Sequence, residues 1–163
     1  MAKILSETAI QQYRRDGYYT PIKAMSAAEA GNARRQLEAF EQANGGALKG
    51  AYRFKTHLLF KWLAELVRAP HILDAVEDLI GPNILCWGSS FFTKKAHDRR
   101  FVSWHQDSTY YGLRPAGTVT PWVAFTDSRI DSGCVRFLPG THKGGILDHA
   151  ETGDAENLLM KGK

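Results

Sequence analysis

The sequence predicts an α+β fold, with helices in its first half and an antiparallel sheet in its second half. Two observations support this prediction. Helix-capping signals and apolar stripes fill the first 81 residues, and runs rich in aromatic and β-branched residues follow from residue 82. No helical stretch separates those runs, whereas a parallel sheet needs crossover helices between its strands. The helices are therefore expected to buttress one face of the sheet.

The first two helices are predicted from their end signals. Ser6 is the expected N-cap of a short helix that stops at Gly17, because a serine caps free N–H groups and a glycine accepts the left-handed turn at the end. Ser26 and Glu29 have the spacing of a capping box. A second helix from about residue 27 to residue 44 is therefore expected.

Two shorter helices and then a series of strands complete the prediction. The helices are expected over Leu58–Val67 and Ile72–Ile80, separated by Pro70 because a proline interrupts helical hydrogen bonding. The four strand-like runs are Ile84–Lys94, Phe101–Asp107, Thr118–Thr126 and Cys134–Leu138. We expect one domain over residues 1–163, with a helical part at 1–81, a strand-rich part at 82–145 and a C-terminal extension at 146–163.

Composition and charge restrict the class of protein and its partners. Of the 163 residues, 44% are apolar, which is enough for a hydrophobic core and argues against a disordered chain. The net charge of +4 permits an anionic partner, but no dense Lys/Arg tract points to nucleic acid. The longest uncharged stretch, fifteen residues, is too short and too polar to span a membrane. With no secretion signal and two distant cysteines, Cys86 and Cys134, expected to be buried and inert, we expect a cytoplasmic protein.

The run Phe101–Asp107 carries the residues best suited to metal chemistry. On a strand, His105 and Asp107 share one face because side chains two positions apart point the same way. With a second histidine they would form a triad of two His and one carboxylate, which suits non-haem Fe(II) and leaves coordination positions open. A bare His-x-Asp is more often a simple hydrogen-bonded pair, so both interpretations stay open at this point.

Further motifs surround this pattern, in order along the chain. They are Tyr13-Arg-Arg-Asp-Gly-Tyr-Tyr19, Ser89-Ser-Phe-Phe-Thr-Lys94, Phe101-Val-Ser-Trp-His-Gln-Asp107, Thr120-Pro-Trp-Val-Ala-Phe-Thr-Asp127 and Ser132-Gly-Cys-Val-Arg-Phe-Leu-Pro-Gly-Thr-His-Lys-Gly144. Together they resemble the phytanoyl-CoA dioxygenase family of Fe(II)/2-oxoglutarate oxygenases. The combination of His-Gln-Asp, Gly-Cys and Pro-Gly-Thr-His-Lys makes the resemblance specific, where each motif alone is not.

The resemblance implies a double-stranded β-helix, a jelly-roll-like, cupin-like barrel of roughly eight strands. It implies that His105 and Asp107 bind Fe(II). It also implies that Lys55, Ser90 and Trp122 contact the co-substrate 2-oxoglutarate, with Lys55 paired to a carboxylate and Trp122 forming a wall of the pocket.

The other histidines are not expected to bind the metal. His142 follows Pro139-Gly140, which sets a turn, so its ring is expected to hydrogen-bond backbone. Surface or cap positions are expected for His57, His71, His97 and His149. The family's second iron histidine and the anchor for the far carboxylate of 2-oxoglutarate come later in its pattern, and no residue after His149 matches them. The fold is thus expected to be incomplete at the C-terminus, with an exposed sheet edge that a homo-oligomer would cover.

Two functions follow from this resemblance. The first is an Fe(II)- and 2-oxoglutarate-dependent dioxygenase that hydroxylates a small organic substrate and forms succinate and CO2. Asp107 favours hydroxylation, because halogenases of the family carry a small residue at this ligand position. A basic loop could attract an anionic substrate, and it contains Lys94, Lys95, Arg99 and Arg100. The alternative is a truncated, non-catalytic binding or assembly remnant of the fold.

Overall fold

The computed structural model describes residues 2–113, 117–159 and 161–162. Its helices are α1 (Glu7–Asp16), α2 (Ala27–Ala43), α3 (Lys61–Leu66), α4 (Pro70–Ile80) and α5 (Ser108–Tyr111). Short 3-10 helices lie at Gly50–Arg53, Thr56–Leu58, Ile130–Ser132 and Thr141–Gly144. An antiparallel pair is formed by β1 (Ala150–Glu151) and β2 (Lys161–Gly162). Within these ranges, no helix is long and apolar enough to cross a membrane.

The predicted ends of the first two helices are confirmed. The Ser6 hydroxyl accepts the N–H of Ala9 at 3.1 Å, and Gly17 ends α1 in the left-handed conformation with φ 86°. At the start of α2, the Ser26 hydroxyl accepts the N–H of Glu29, whose carboxylate accepts the Ser26 N–H in return. These bonds satisfy N–H groups that have no partner inside a helix, which is why the sequence signals were sufficient.

The third and fourth helices are confirmed with shifted starts. The helix expected over Leu58–Val67 begins at Lys61, because the chain first makes the 3-10 turn Thr56–Leu58. The helix expected over Ile72–Ile80 begins at Pro70, since a proline fits the first helical position, where no N–H donor is needed.

The buried core is helical. The N-terminal segment and α1 pack against α4 through the cluster Leu5, Ala9, Ile10 and Ala75, with Tyr19 and Leu79 at its edge. Asp78 of α4 fixes this contact, because its carboxylate accepts the backbone N–H groups of residues 3, 4 and 5 at 2.7, 2.9 and 2.8 Å. Charge-assisted bonds of this kind are stronger than neutral ones, so the start of the chain is held on the helix.

The predicted antiparallel sheet over 82–145 does not form among the residues that the structure describes. The four strand-like runs form no ladder there, and Phe101 makes one isolated parallel bridge to Asn157. Strand propensity alone is insufficient, because a strand needs a neighbour for its N–H and C=O groups. Cys86 on the first run is exposed and Cys134 is half-buried, so the expectation of two buried thiols is also wrong.

The same runs leave large apolar side chains open to solvent, as the expectation of an uncovered face requires. Exposed examples are Leu85, Trp87, Phe92, Trp122, Phe137 and Leu138. Large exposed apolar patches are typical of surfaces at which proteins make contacts.

The turn around His142 docks on the end of α1. The Gly140 N–H donates to the carbonyl oxygen of Asp16 at 2.8 Å, and His142 Nε2 donates to the carbonyl oxygen of Arg14 at 3.1 Å. The carbonyl groups at the end of a helix lack partners inside it, so these bonds act as a C-terminal cap. The prediction that His142 hydrogen-bonds backbone is confirmed.

This docking makes Gly17 a sensitive position. We expect Gly17→Ala to lower the free energy of unfolding by about 2–3 kcal/mol, because a left-handed alanine is strained and its Cβ needs space that His142 occupies. The Cβ would lie 2.5 Å from Nδ1 of His142. Gly45→Ala is the control, since Gly45 has a similar φ of 71° with nothing within 4 Å. Urea unfolding of both variants measures the difference, and equal losses would contradict the His142 contact.

Candidate functional site

His105 and Asp107 are in direct contact. The distance from His105 Nε2 to Asp107 Oδ1 is 3.1 Å, and the other ring nitrogen, Nδ1, lies 2.9 Å from the carbonyl oxygen of Ser103. A carbonyl oxygen only accepts, so Nδ1 carries the hydrogen, and in the neutral ring Nε2 is left with a lone pair. That lone pair faces a carboxylate oxygen, so two acceptors meet. Either a proton or a cation is required between them.

A proton satisfies the pair in the free chain. The hydrogen bond to Asp107 raises the pKa of His105 above its ordinary value, although partial burial opposes the rise. The same bond lowers the pKa of the Asp107 carboxyl, again against burial. At neutral pH, His105 is therefore protonated more often than an isolated histidine, and its imidazolium lies beside the Asp107 carboxylate.

A divalent cation satisfies the same pair in a second way. In metal-binding histidines, the N–H of one ring nitrogen commonly donates to a carbonyl oxygen, which leaves the other nitrogen free as a ligand. The Ser103 carbonyl does this for His105. An imidazole nitrogen beside a carboxylate oxygen suits iron. The two side chains are thus donors of the kind that Fe(II) accepts.

Asp107 is oriented by the helix it starts. The chain turns at Asp107 into α5 and does not continue as the predicted strand. His105 and Asp107 therefore meet at this turn, and not because alternate residues of a strand share a face. The second carboxylate oxygen, Oδ2, accepts the hydroxyl groups of Tyr111 and Thr120, each at 3.3 Å. With Oδ2 held in this way, Oδ1 stays directed at His105.

Across the described parts of the chain, no group of three or more His, Cys, Asp or Glu side chains could hold a metal ion. His105 and Asp107 would supply two of the donors that such a site needs, so their binding of a metal stays a prediction. Further coordination would come from the co-substrate, from water or from groups that the structure does not describe.

Trp122 lies on a segment that reaches the pair. It follows two residues after Thr120, whose hydroxyl bonds to Asp107, and its ring centroid is 5.8 Å from that of Phe92. Ser90 lies two residues before Phe92 and is exposed. The contact of Ser90 and Trp122 with 2-oxoglutarate stays a prediction.

Lys55 stands over an exposed tryptophan. Its backbone is left-handed, with φ 55°, and its Nζ lies 5.1 Å from the ring centroid of Trp87. A cation at this distance over an indole face is held weakly, by about 0.5–1 kcal/mol at an exposed site. The ammonium is therefore free to exchange this contact for a carboxylate of a ligand.

Ser89, next to the predicted Ser90, fixes the segment that carries Lys55. Its hydroxyl lies 3.0 Å from the Thr56 hydroxyl and 2.7 Å from His57 Nδ1, and it accepts the His57 backbone N–H at 3.0 Å. Thr56 is 1% exposed, the most buried polar residue described. Ser89 thus satisfies a buried hydroxyl, a role that sequence reasoning missed because the partners are 33 positions apart.

Ser89→Ala is expected to lower the free energy of unfolding by about 1–3 kcal/mol, because it leaves the buried Thr56 hydroxyl without a partner. Ser90→Ala is the matched control, since Ser90 is the exposed neighbour. It is expected to change stability by less than about 0.5 kcal/mol. Thermal unfolding of the two variants tests the difference, and an unchanged Ser89→Ala protein would rule out the network.

The basic loop is partly neutralised. Arg100 pairs with Asp98 at 2.6 Å and lowers the pKa of that carboxyl to about 2. Arg99 lies 3.8 Å from Glu156. Lys94 and Lys95 keep exposed side chains, so their charges are open to an anionic substrate.

Sequence reasoning also missed Gln106 and His149 as residues of the site. His149 was expected at the surface or at a cap, but it is half-buried and accepts the Gln106 N–H at 2.9 Å. The one signal in the sequence is the position of Gln106 between the two candidate ligands. A contact that holds Gln106 there also restricts the positions of both neighbours.

Comparison with known proteins adds independent evidence. The family described as phytanoyl-CoA dioxygenase (PhyH) matches residues 5–159. A probable alpha-ketoglutarate-dependent hypophosphite dioxygenase of Stutzerimonas stutzeri is 32% identical over 118 residues, 71% of this chain and 41% of that protein. Human peroxisomal phytanoyl-CoA dioxygenase is 34% identical over 84 residues, 49% of this chain and 25% of that protein. The chain spans less than half the length of these relatives.

A solved structure shares the fold. The structure described as CytC3 with Fe(II) and alpha-ketoglutarate is 32% identical, with a TM-score of 0.63 over 83% of this chain and 60% of that chain. A second CytC3 structure is 28% identical with the same TM-score, over 96% of this chain and 64% of that chain. The described segments therefore follow the CytC3 fold even though their strand-like runs lack ladders.

Proposed function

Because this chain belongs to the phytanoyl-CoA dioxygenase family, we propose that it acts as an Fe(II)- and 2-oxoglutarate-dependent dioxygenase that hydroxylates a small organic substrate. One observation supports this most directly. His105 Nε2 and Asp107 Oδ1 face each other as two acceptors at 3.1 Å, while Ser103 holds the other ring nitrogen. A cation between these atoms replaces the proton that the free pair requires.

The residues of the chain have separate tasks in this proposal. Bound iron would supply the chemistry by which O2 gives one oxygen atom to 2-oxoglutarate, forming succinate and CO2, and the other to a substrate C–H bond, forming the hydroxyl group. His105 and Asp107 would hold the metal, and the hydroxyl groups of Tyr111 and Thr120 contact the second oxygen of the carboxylate. The His105 ring and the Asp107 carboxylate are already oriented by hydrogen bonds in the metal-free chain, which would lower the cost of organising the site.

Lys55, Ser90 and Trp122 are proposed to receive 2-oxoglutarate. The Lys55 ammonium pairs with a carboxylate of the co-substrate, and Trp122 covers its carbon chain and excludes water. The exposed state of Lys55 over Trp87 supports this role, because binding needs no buried bond to break. Lys94 and Lys95 are proposed to favour an anionic substrate.

The proposed architecture is a double-stranded β-helix. The likeness to CytC3 supports it. In such a barrel the four strand-like runs would pair with strands from other segments or from a second copy of the chain, and their exposed aromatic residues would be covered. The uncovered runs also favour the second candidate function, a non-catalytic assembly module that associates through them.

Anaerobic calorimetry of the full chain tests the proposal. We expect one equivalent of Fe(II) to bind, and 2-oxoglutarate to bind much more tightly in its presence. Sedimentation of the same samples reports the assembly state. Absence of both binding events, with persistent oligomers, would refute the enzyme and support the assembly module.

A further inference from the structure

We propose that Gln106 and His149 form a clamp that positions the His105–Asp107 pair, an inference that rests on the proposed metal-binding function. The clamp joins the residue between the two ligands to the segment 145–149, about forty positions later in the chain. Gln106 and His149 are therefore positioning residues, which act on the metal through their neighbours.

Three hydrogen bonds make the clamp. The backbone N–H of Gln106 donates to His149 Nε2 at 2.9 Å. The side-chain amide of Gln106 donates through Nε2 to the carbonyl oxygen of Gly145 at 2.8 Å and accepts the Leu147 N–H through Oε1 at 2.7 Å. The backbone donor and both ends of the side chain of Gln106 are thus tied to one segment.

The ring of His149 is fixed in one tautomer. Its Nδ1 lies 2.7 Å from the carbonyl oxygen of Leu147, so Nδ1 carries the hydrogen and Nε2 accepts from Gln106. The Thr109 hydroxyl also approaches Nδ1, at 3.3 Å. With both nitrogens engaged, His149 is not a metal ligand in this arrangement. The ring serves instead as a fixed acceptor for the peptide that follows His105.

The clamp and the metal pair share a wall. Tyr110 makes edge-to-face contacts with both imidazoles, with centroid distances of 6.1 Å to His105 and 6.3 Å to His149. Because Gln106 lies between His105 and Asp107 in the chain, a rotation of its backbone would move both residues. It would also shift the contacts that Tyr110 makes with the two histidines. Groups outside the first ligand shell commonly change metal affinity by about 10–100-fold.

The clamp is not a by-product of core packing. Residues 145–148 are exposed, with Ile146 at 53% and Leu147 at 48% of full exposure. A segment without buried apolar contacts is held by its hydrogen bonds, and here these bonds converge on Gln106 and His149. Their geometry therefore sets the position of the segment relative to the metal pair.

The test compares His149→Ala, His149→Gln and Gln106→Ala with Asp148→Ala, an exposed neighbour in the same segment. Amide hydrogen exchange of Gln106 and Leu147 is measured by NMR without metal, and Mn(II) affinity is measured by calorimetry. We expect His149→Ala to lose the protection of the Gln106 amide and Gln106→Ala to lose that of the Leu147 amide. Both variants are expected to bind Mn(II) about 10–100-fold more weakly. His149→Gln, whose amide oxygen replaces the Nε2 acceptor, is expected to rescue both the Gln106 protection and the Mn(II) affinity, and Asp148→Ala to change neither.

The two readouts separate the possible failures. Unprotected amides in the wild-type chain, with Mn(II) bound normally, would overturn the clamp and leave the proposed function intact. Protected amides with no Mn(II) binding would overturn the proposed function and the positioning role with it. Equal Mn(II) affinity in wild type and His149→Ala, despite lost protection, would reduce the clamp to a structural tether and refute the inference.

Discussion

Asp107→Ala is expected to weaken Fe(II) binding by at least about 100-fold, more than a change outside the ligand shell would cause. The substitution removes one of the two proposed ligands and the negative charge that would offset the cation. It also leaves the hydroxyl groups of Tyr111 and Thr120 without the carboxylate that they contact. Anaerobic calorimetry with Fe(II) measures the loss, and succinate release coupled to hydroxylation is expected to fall to background.

Two further variants show whether the effect belongs to the ligand. Asp107→Asn keeps the shape and an acceptor oxygen but loses the charge, so its Fe(II) affinity is expected to lie between wild type and Asp107→Ala. Asp131→Ala removes an exposed carboxylate from the turn Ile130–Ser132 and is expected to bind Fe(II) normally. Wild-type Fe(II) affinity in Asp107→Ala would refute the assignment of the metal site.

The contact between His105 and Asp107 can also be tested in the metal-free protein, through the pKa of His105. The bond to Asp107 raises the pKa of His105, so Asp107→Ala is expected to lower that pKa towards the ordinary value of histidine. An NMR titration of the His105 ring detects this shift. An unchanged pKa would show that the two side chains are apart in solution.

The helices could be predicted from the sequence because their signals are local. Ser6 and Ser26 cap N–H groups within three residues, and Gly17 ends a helix through its own backbone conformation. Such features depend on few neighbours, so the sequence contains the whole cause. The start of α3 shifted because the tight turn Thr56–Leu58 depends on Ser89, which lies far along the chain.

Strand pairing could not be predicted in the same way. Aromatic and β-branched residues mark the runs after residue 82, but a ladder depends on which segment lies alongside, and that is a property of the whole fold. The candidate site shows the same difference between local and long-range contacts. The two-residue spacing of His105 and Asp107 predicted that they lie close together, but through a strand and not through the turn into α5 that the structure shows. Gln106 and His149 are joined across 43 positions, which no local pattern indicates.

Lys55→Met is expected to weaken 2-oxoglutarate binding by about 10–100-fold while leaving Fe(II) affinity unchanged. A charge-assisted bond to a carboxylate contributes about 1.5–3 kcal/mol, which is about one to two decades in affinity. Methionine keeps an unbranched stem over Trp87, so the packing is preserved while the ammonium is lost. Calorimetric titration of the Fe(II)-loaded protein with 2-oxoglutarate measures the effect.

Comparison with other lysine variants identifies the cause. Lys49→Met removes another positive charge from the segment that precedes Lys55, and normal 2-oxoglutarate binding is expected there. Equal losses in Lys55→Met and Lys55→Ala would assign the effect to the charge, because both lack the ammonium and one retains the stem. A loss confined to Lys55→Ala would assign it to packing on Trp87 instead. In that case the ammonium of Lys55 would not be an anchor for the co-substrate.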